Sequence, residues 1–115
     1  MNVFTKRALS EAATAYQEAA GDIASWLEIT KQAQWANFVD LRASFPSADD
    51  VDGVVVFNIR HNRFRLFTVV KYTRMIEERH INGSVFIRAF MTHAEYNRWS
   101  ELSKQKREKM LWPQS

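Results

Sequence analysis

Cationic side chains recur along a stretch of the chain that is otherwise rich in β-forming residues. On one side of the predicted strands the sequence places Val54, Val56, Asn58, Arg60, Arg63, Arg65, Phe67 and Lys71. Guanidinium and ammonium groups bind phosphate oxygens, and an aromatic ring beside them can stack on a nucleobase. The pattern therefore predicts a basic surface for a phosphate-bearing partner, with Arg60, His61, Arg63, Phe67 and Lys71 as candidate contacts. The alternative is an ordinary solvated face of a half-exposed antiparallel sheet.

A predicted β-hairpin positions these residues. Two β-rich runs, Val54–Arg60 and Arg63–Tyr72, are joined by a His-Asn pair, and Asn favours a turn. Directly opposed residues point to the same side of a sheet, so Asn58 should lie opposite Arg65. The other side of the hairpin is almost wholly apolar and is predicted to face the core: Val55, Phe57, Ile59, Phe64, Leu66, Thr68, Val70 and Tyr72.

A histidine begins the last predicted helix. Thr92 and Glu95 form a Ser/Thr-x-x-Glu capping box, so His93 occupies the first helical position. Tyr96 lies three residues further on, on the same side of the helix. An imidazole can act as a general base there, beside a tyrosine that stacks on a base or orients a phosphate. The competing interpretations are a histidine that only packs or faces solvent and a Tyr96 that packs against Met91.

Charge is unevenly distributed along the sequence. The 115 residues carry a formal net charge of +3. Residues 1–56 hold four basic and eight acidic side chains, net −4, whereas residues 57–115 hold twelve basic and five acidic, net +7. This asymmetry favours a phosphate-bearing partner over an acidic small molecule, although the basic part could also pair with the acidic part.

Length and composition indicate one globular domain over residues 1–115, because 46% hydrophobic residues suffice for a core. The sequence contains no run of about 18 apolar residues that could span a membrane. Its first residues lack the apolar core of a secretory signal. With no cysteine, the chain needs no oxidising compartment, so we expect a cytoplasmic protein without a membrane partner.

The predicted elements are a short strand near Asn2, two helices, three strands and a closing helix. Thr5 is expected to cap the first helix, which runs from about residue 6 to 20 and is followed by a break at Gly21. Phe45 and Pro46 should end the helical region. Because consecutive strands are joined by turns, we predict an α+β fold of order β-α-α-β-β-β-α, with an antiparallel sheet and helices on one face.

Three segments after the helices are less regular. Residues 47–52 are acidic and are predicted to form a solvated loop. Residues 73–83 show no clear period, so their conformation is not predicted. Residues 85–92 form a further strand in which simple alternation separates the following two sets: Phe86, Arg88 and Phe90 on one side, and Val85, Ile87, Ala89 and Met91 on the other.

No metal or cofactor site is expected. His61, His80 and His93 lack the spacing of zinc ligands, and no cysteine is available. The acidic loop at 49–52 lacks the ligand spacing and distal glutamate of a calcium loop. The sequence also contains no phosphate-binding glycine loop and no credible Ser-centred triad.

Three short motifs carry a family likeness. They are Phe57-Asn58-Ile59, Asn62-Arg63-Phe64-Arg65-Leu66, and Val85-Phe86-Ile87-Arg88 followed by Thr92-His93-Ala94-Glu95-Tyr96. Together they resemble the HigB-type toxins of bacterial toxin–antitoxin modules, within the RelE-like superfamily. Trp35, Leu41, Phe45-Pro46 and Val51 also fall where that family has an aromatic and apolar stretch, so the likeness covers most of the chain.

The resemblance implies a RelE-like fold with two helices against a small antiparallel sheet and a short closing helix. It also implies a ribosome-dependent mRNA endonuclease, whose partners are mRNA, the ribosome and a cognate antitoxin. That antitoxin is expected to be a small DNA-binding protein encoded by an adjacent gene. The matching positions are Arg65, Arg88, His93, Glu95 and Tyr96. The sequence departs from the family pattern at two places. Its turn is Arg60-His61-Asn62, where the family often has Gly-Gly-Asn, and its segment between Arg65 and Arg88 is longer than expected for the family.

Metal-independent RNA cleavage needs a base for the 2′-hydroxyl, cations for the phosphorane and an acid for the leaving 5′-oxygen. His93 is the candidate base, and Arg65 and Arg88 are candidate phosphate ligands. For Arg88, a structural ion pair with Glu77 or Glu78 is the competing interpretation. The predicted catalytic set is His93, Arg65, Tyr96 and Arg88, with His61, Arg60, Arg63, Phe67 and Lys71 as RNA contacts and Thr92 and Glu95 as the helix cap.

A non-catalytic module of the same fold is the alternative function. It would bind nucleic acid or protein without cleaving RNA. RelE-like folds also include inhibitors of DNA gyrase, so the fold alone does not decide between these functions.

Overall fold

A computed structural model of the chain describes residues 1–102 and residue 106. In chain order the elements are β1 (Asn2–Phe4), α1 (Lys6–Ala15), a 3₁₀ turn (Gln17–Ala19), α2 (Ala20–Gln32), α3 (Phe38–Ser44), β2 (Asp49–Val51), β3 (Val54–Ile59), β4 (Phe64–Lys71), β5 (Arg74–Ile76), β6 (Arg79–Ile81), β7 (Ser84–Thr92) and α4 (His93–Ser100). The predicted α+β class is confirmed and is consistent with a RelE-like fold. The predicted order is incomplete, because it lacks α3 as a separate helix and the strands β2, β5 and β6.

The main sheet has five strands in the order β1-β7-β4-β3-β2. Strands β7, β4, β3 and β2 pair antiparallel with their neighbours, whereas β1 pairs with β7 in parallel. The sheet is therefore mixed rather than purely antiparallel. Parallel pairing is possible for β1 because nearly the whole fold separates it from β7 along the chain.

The register of the β3–β4 hairpin is as predicted. Asn58 pairs with Arg65 and Val56 pairs with Phe67. The connecting loop is longer than predicted, because β3 ends at Ile59 and β4 begins at Phe64. Two non-glycine residues of this loop, Arg60 and His61, adopt left-handed backbone conformations with φ of 51° and 59°.

One face of the sheet packs against α1, α2 and α3, and we call this the helix-side core. The predicted core residues Val55, Phe57, Ile59, Phe64 and Leu66 are all buried there. Around Phe57, the aromatic rings of Trp26 and Phe45 lie with centroids 5.3 Å and 5.2 Å away, respectively. Edge-on contacts of this kind stabilise a core by more than the free energy that comes from the buried apolar area.

The opposite face carries a second, smaller core beneath α4, which we call the α4-side core. It contains Val56, Phe67, Ala89, Met91 and Trp99. Phe67 is fully buried, with its ring 4.7 Å from that of Trp99. The prediction of helices on one face is therefore wrong, and so is that of Phe67 as an exposed stacking surface. The apolar part of this face is removed from water by the closing helix rather than offered to a ligand.

A β-bulge at Arg88 explains why simple alternation fails in β7. Phe67 pairs with Ala89 and Thr68 pairs with Ile87, so Arg88 is the extra residue between them. A one-residue insertion transfers all later side chains to the opposite face. The apolar set that alternation placed on one side is therefore divided: Val85 and Ile87 lie in the helix-side core, and Ala89 and Met91 in the α4-side core.

The first helix ends earlier than predicted. It begins at Lys6 as expected, but Thr5 has φ of 69° and its side chain makes no capping hydrogen bond. The chain leaves α1 at Tyr16, passes through the 3₁₀ turn and re-enters a helix at residue 20. Gly21 thus lies inside the first turn of α2 and does not break the chain. The helical region ends at Phe45, as predicted.

The acidic segment before β3 forms a strand, not a loop. Asp49–Val51 pairs with β3, and Asp52 and Gly53 make the connecting turn with φ of 54° and 85°. Glycine tolerates this left-handed conformation at no steric cost. At the sheet edge, the backbone can pair with β3 while the Asp49 and Asp50 side chains stay in water.

Strands β5 and β6 form a separate hairpin between β4 and β7, in the segment whose conformation the sequence left open. Glu77 and Glu78 form its turn, with φ of 48° and 66°. At its base, the buried Thr73 donates hydrogen bonds from its backbone N–H and its hydroxyl to the carbonyl oxygen of Trp35, at 2.9 Å and 3.2 Å. On the other side, Asn2 donates its backbone N–H to the carbonyl of Gly83 at 2.9 Å.

Within the described residues, no helix has the length and apolarity needed to cross a membrane.

Replacing Gly83 by alanine should destabilise the protein, whereas the same change at Gly21 should not. A Cβ atom on Gly83 would lie 2.5 Å from the carbonyl oxygen of Lys71, while a Cβ on Gly21 meets no atom within 4 Å. We expect Gly83→Ala to lower the free energy of unfolding by about 1–3 kcal/mol. Gly21→Ala, inside a helix, should raise it by up to about 1 kcal/mol. Urea denaturation measures both, and equal effects would contradict this assignment.

Candidate functional site

The start of α4 is fixed by a complete capping box. The Thr92 hydroxyl accepts a hydrogen bond from the Glu95 backbone N–H at 3.2 Å. The Glu95 carboxylate accepts one from the Thr92 backbone N–H at 3.0 Å. The prediction that these residues form the cap is confirmed. His93 is therefore held at the first helical position, and its backbone N–H donates to the carbonyl oxygen of Arg63 at 2.9 Å.

An open pocket of about 470 Å³ lies where the helices, the β3–β4 loop and the start of α4 meet. We call it the His93 pocket, and its lining residues are Tyr16, Glu18, Asn62, Arg63, Phe64, Thr92, His93 and Ala94. His93 is solvent-exposed. Its imidazole is therefore accessible to a ligand that enters the pocket.

Two arginines of the β3–β4 loop contact Glu18 in the 3₁₀ turn. Arg63 Nη1 lies 3.8 Å from Glu18 Oε2, and Arg60 Nη1 donates to the Glu18 backbone carbonyl at 2.8 Å. The prediction that both arginines extend the surface of Arg65 is therefore wrong. The left-handed residues of the loop interrupt strand alternation, so these side chains reach the helical side.

Arg65 is held in place by Asn62 and Tyr96. Its Nη2 donates to Asn62 Oδ1 at 3.0 Å, and its Nη1 donates to the Asn62 carbonyl at 3.2 Å. The guanidinium carbon lies 5.0 Å from the centre of the Tyr96 ring, which is a cation–π distance. Asn62 lines the His93 pocket, so Arg65 is hydrogen-bonded to a residue of that pocket without lining it.

Tyr96 also packs into the α4-side core. Its ring lies 5.8 Å from Phe67 and 5.9 Å from Trp99. Packing in the core that contains Met91, which was the structural alternative for Tyr96, is therefore observed. This contact and the one with Arg65 coexist, because opposite parts of a half-buried ring can serve both.

Other predicted site residues lie away from the pocket. Lys71 ends β4, six residues beyond Arg65, which corresponds to roughly 20 Å along a strand. Arg88 is half-buried at the bulge in the middle of β7 and does not line the pocket. His61 is exposed in the β3–β4 loop. The structure thus places Arg63 and His93 in one pocket. Arg65 contacts the pocket residue Asn62 and the ring of Tyr96. Lys71 and Arg88 do not line the pocket.

Three residues of this region were not identified from the sequence. Asn62 was assigned to the turn and to a family motif but not to the site, although its side chain accepts a hydrogen bond from Arg65. Tyr16 and Glu18 reach the pocket only because the 3₁₀ turn packs near the hairpin loop, and their local sequence gives no signal of this. The only relevant feature of the sequence is that Glu18 is a charged residue close to the predicted break between the first two helices.

The arrangement places a group that can transfer a proton and the guanidinium of Arg63 in one pocket. The guanidinium of Arg65 is hydrogen-bonded to the pocket residue Asn62. Such a site can bind an anion and stabilise charge that develops on it. Within residues 1–102 and residue 106, no three His, Cys, Asp or Glu side chains gather to hold a metal ion. Among the lining residues of the pocket, Arg63 carries a guanidinium group.

Comparison with known protein families gives a match. Residues 19–99, more than half of the chain, match the model of the HigB toxin, described as the RelE-like toxic component of a toxin-antitoxin system. The match begins just after Tyr16 and Glu18 and includes the rest of the His93 pocket. No curated protein matches the chain.

Truncating Phe67 should disrupt folding rather than remove a ligand contact. Because its ring is fully buried under Trp99, Phe67→Ala should lower the free energy of unfolding by about 3–5 kcal/mol. Phe4 is a matched control, since it is 43% exposed and Phe4→Ala should cost about 1 kcal/mol. Thermal and urea unfolding measure both. A Phe67→Ala variant as stable as the parent would show that α4 does not cover this face.

Proposed function

This chain belongs to the HigB family of RelE-like toxins of toxin–antitoxin systems, and on that premise we propose that it is a ribosome-dependent mRNA endonuclease. The observation that carries the proposal is the His93 pocket, in which an exposed imidazole and the guanidinium of Arg63 line one cavity. Cleavage of mRNA on the ribosome would arrest translation. Membership of the family also implies a cognate antitoxin.

In the proposed reaction, the 2′-oxygen of a nucleotide attacks the adjacent phosphorus. His93 removes the proton from the 2′-hydroxyl as the O–P bond forms. The bond to the 5′-oxygen breaks, which leaves a 2′,3′-cyclic phosphate and a 5′-hydroxyl. The leaving 5′-oxygen takes a proton from water, and the proposed reaction uses no metal ion.

Arg65 is proposed to stabilise the extra negative charge on the phosphorane. Its guanidinium is half-buried and fixed by Asn62 and Tyr96, so little reorganisation is needed as charge develops. Asn62 thereby acts as a positioning residue. Tyr96 supports Arg65 in the same way and remains a candidate for contact with a base.

Arg63 is proposed to bind RNA in the ground state. Its ion pair with Glu18 joins side chains that are 66% and 48% exposed, and such pairs contribute about 0–1 kcal/mol. A phosphate can therefore replace the Glu18 carboxylate at low cost. Arg60 and His61, on the same loop, are proposed to contact flanking RNA.

Single-turnover cleavage of mRNA on saturating ribosomes tests the function and separates the two arginines. Arg65→Ala should lower the maximal rate by about a hundredfold, because a charge-assisted contact in the transition state is lost. Arg63→Ala should leave that rate within a fewfold and mainly weaken binding. The products should end in a cyclic phosphate and a 5′-hydroxyl.

The controls decide between functions. Absence of cleavage, or products with a 3′-hydroxyl, would refute the mechanism. Equal rate losses for the two arginine variants would place the active centre elsewhere. Growth arrest that persists unchanged in His93→Ala and Arg65→Ala would favour the non-catalytic module.

Removing the Glu18 carboxylate should strengthen binding of the substrate. Glu18→Gln keeps the backbone carbonyl that accepts from Arg60 but frees Arg63 from its ion pair. We expect the ribosome concentration for half-maximal cleavage to fall by up to about fivefold, with the maximal rate unchanged. Glu11→Gln, which removes the partner of Arg7 on an exposed helix surface, is the matched control. A lower maximal rate in Glu18→Gln would instead give Glu18 a role in the chemistry.

A further inference from the structure

The β5–β6 hairpin is a second exposed surface, remote from the His93 pocket. Strand β4 starts beside the pocket at Phe64 and ends at Lys71, just before the hairpin. Eight extended residues span roughly 25 Å. The hairpin strands belong to no other sheet, and all six of their residues are exposed.

One face of this hairpin combines two arginines with two isoleucines. The pairing of Arg74 with Ile81 and of Ile76 with Arg79 places these four side chains on the same face. Ile76 and Ile81 are 46% and 36% exposed. Neither arginine forms an ion pair within residues 1–102 and residue 106, although glutamates occupy the adjacent turn.

The two arginines and two isoleucines of this face indicate which kind of partner could bind to it. Single-stranded RNA is bound by aromatic side chains on which bases stack, and this face of the hairpin has none, because His80 pairs with Met75 on the other face. In a second copy the same face carries the same two arginines, so two such faces in contact would bring like charges together, which is unfavourable. A segment with carboxylates for the arginines and aliphatic side chains for the isoleucines is complementary in both respects.

We propose that this face of the β5–β6 hairpin is a docking surface for an acidic, aliphatic-bearing segment of the cognate antitoxin. The proposal rests on membership of the toxin family, not on RNA cleavage. The hairpin base is already fixed by the buried Thr73 and by the bond from Asn2 to Gly83, so little order has to be gained on binding. Because the pocket lies at the other end of β4, this contact supplies affinity and does not cover the site.

A synthetic peptide of alternating glutamate and leucine, labelled with fluorescein, is the probe. Its fluorescence anisotropy is measured with the full chain at low and high salt. We expect salt-sensitive binding that weakens roughly tenfold in the double variant Arg74→Ser/Arg79→Ser, since two exposed ion pairs are lost. Ile76→Ser/Ile81→Ser should weaken binding without removing its salt dependence.

The matched control is Arg7→Ser/Arg98→Ser, which removes the same charge from exposed positions on α1 and α4. It should bind the peptide almost as the parent does. Thermal unfolding verifies that every variant is folded. Cleavage on ribosomes should be unchanged in the hairpin variants, so a failed cleavage assay and a failed binding assay are distinguishable.

Several results would overturn the proposal. These are no binding of the acidic peptide, equal binding of a matched lysine–leucine peptide, or the same loss of affinity in the control and hairpin variants. Binding of single-stranded RNA that is lost in Arg74→Ser/Arg79→Ser would assign the face to nucleic acid. Binding of phosphatidylglycerol vesicles that is lost in the same variant would assign it to a membrane surface.

Discussion

The pairing of β4 with β7 is the constraint on which the candidate site depends. This ladder ends where Phe64 meets Thr92, and the bond from His93 N–H to the Arg63 carbonyl extends it into α4. The capping box then begins the helix at that point. His93 is thereby joined to an arginine-bearing loop by backbone hydrogen bonds. Such bonds do not depend on the identity of the side chains, so the frame can persist while the site chemistry is tuned.

The fold is stabilised by two hydrophobic cores, one on each face of the sheet. The helix-side core contains most of the buried aromatic residues, whereas the α4-side core is small and depends on Trp99 over Phe67. The bulge at Arg88 lets one strand supply apolar side chains to both. Tyr96 connects the smaller core to the site, because the same ring packs on Phe67 and supports Arg65. Stability of α4 and orientation of Arg65 are therefore linked.

Within residues 1–102, the basic side chains of the site region and of the hairpin lie at separate places. Arg60 and Arg63 contact Glu18, Arg65 is held by Asn62, and Lys71 lies at the far end of β4. A further pair of arginines lies on the exposed β5–β6 hairpin. Charged groups at opposite ends of β4 can contact different partners. Their electrostatic interaction is screened by salt, because the strand is longer than the Debye length of about 8–10 Å.

The sequence alone determined the local features: the register of the β3–β4 hairpin, the apolar core face, the capping box at Thr92 and the family motifs. Each depends on residues that are close in the chain, where periodicity and turn chemistry are informative. Only the tertiary structure decided that Phe67 is buried, that Arg63 meets Glu18 and that β7 contains a bulge. These depend on how α4 and the 3₁₀ turn pack across the sheet. An extra residue in a strand, or a helix on its second face, leaves no periodic signal in the sequence, because both are set by contacts between distant segments.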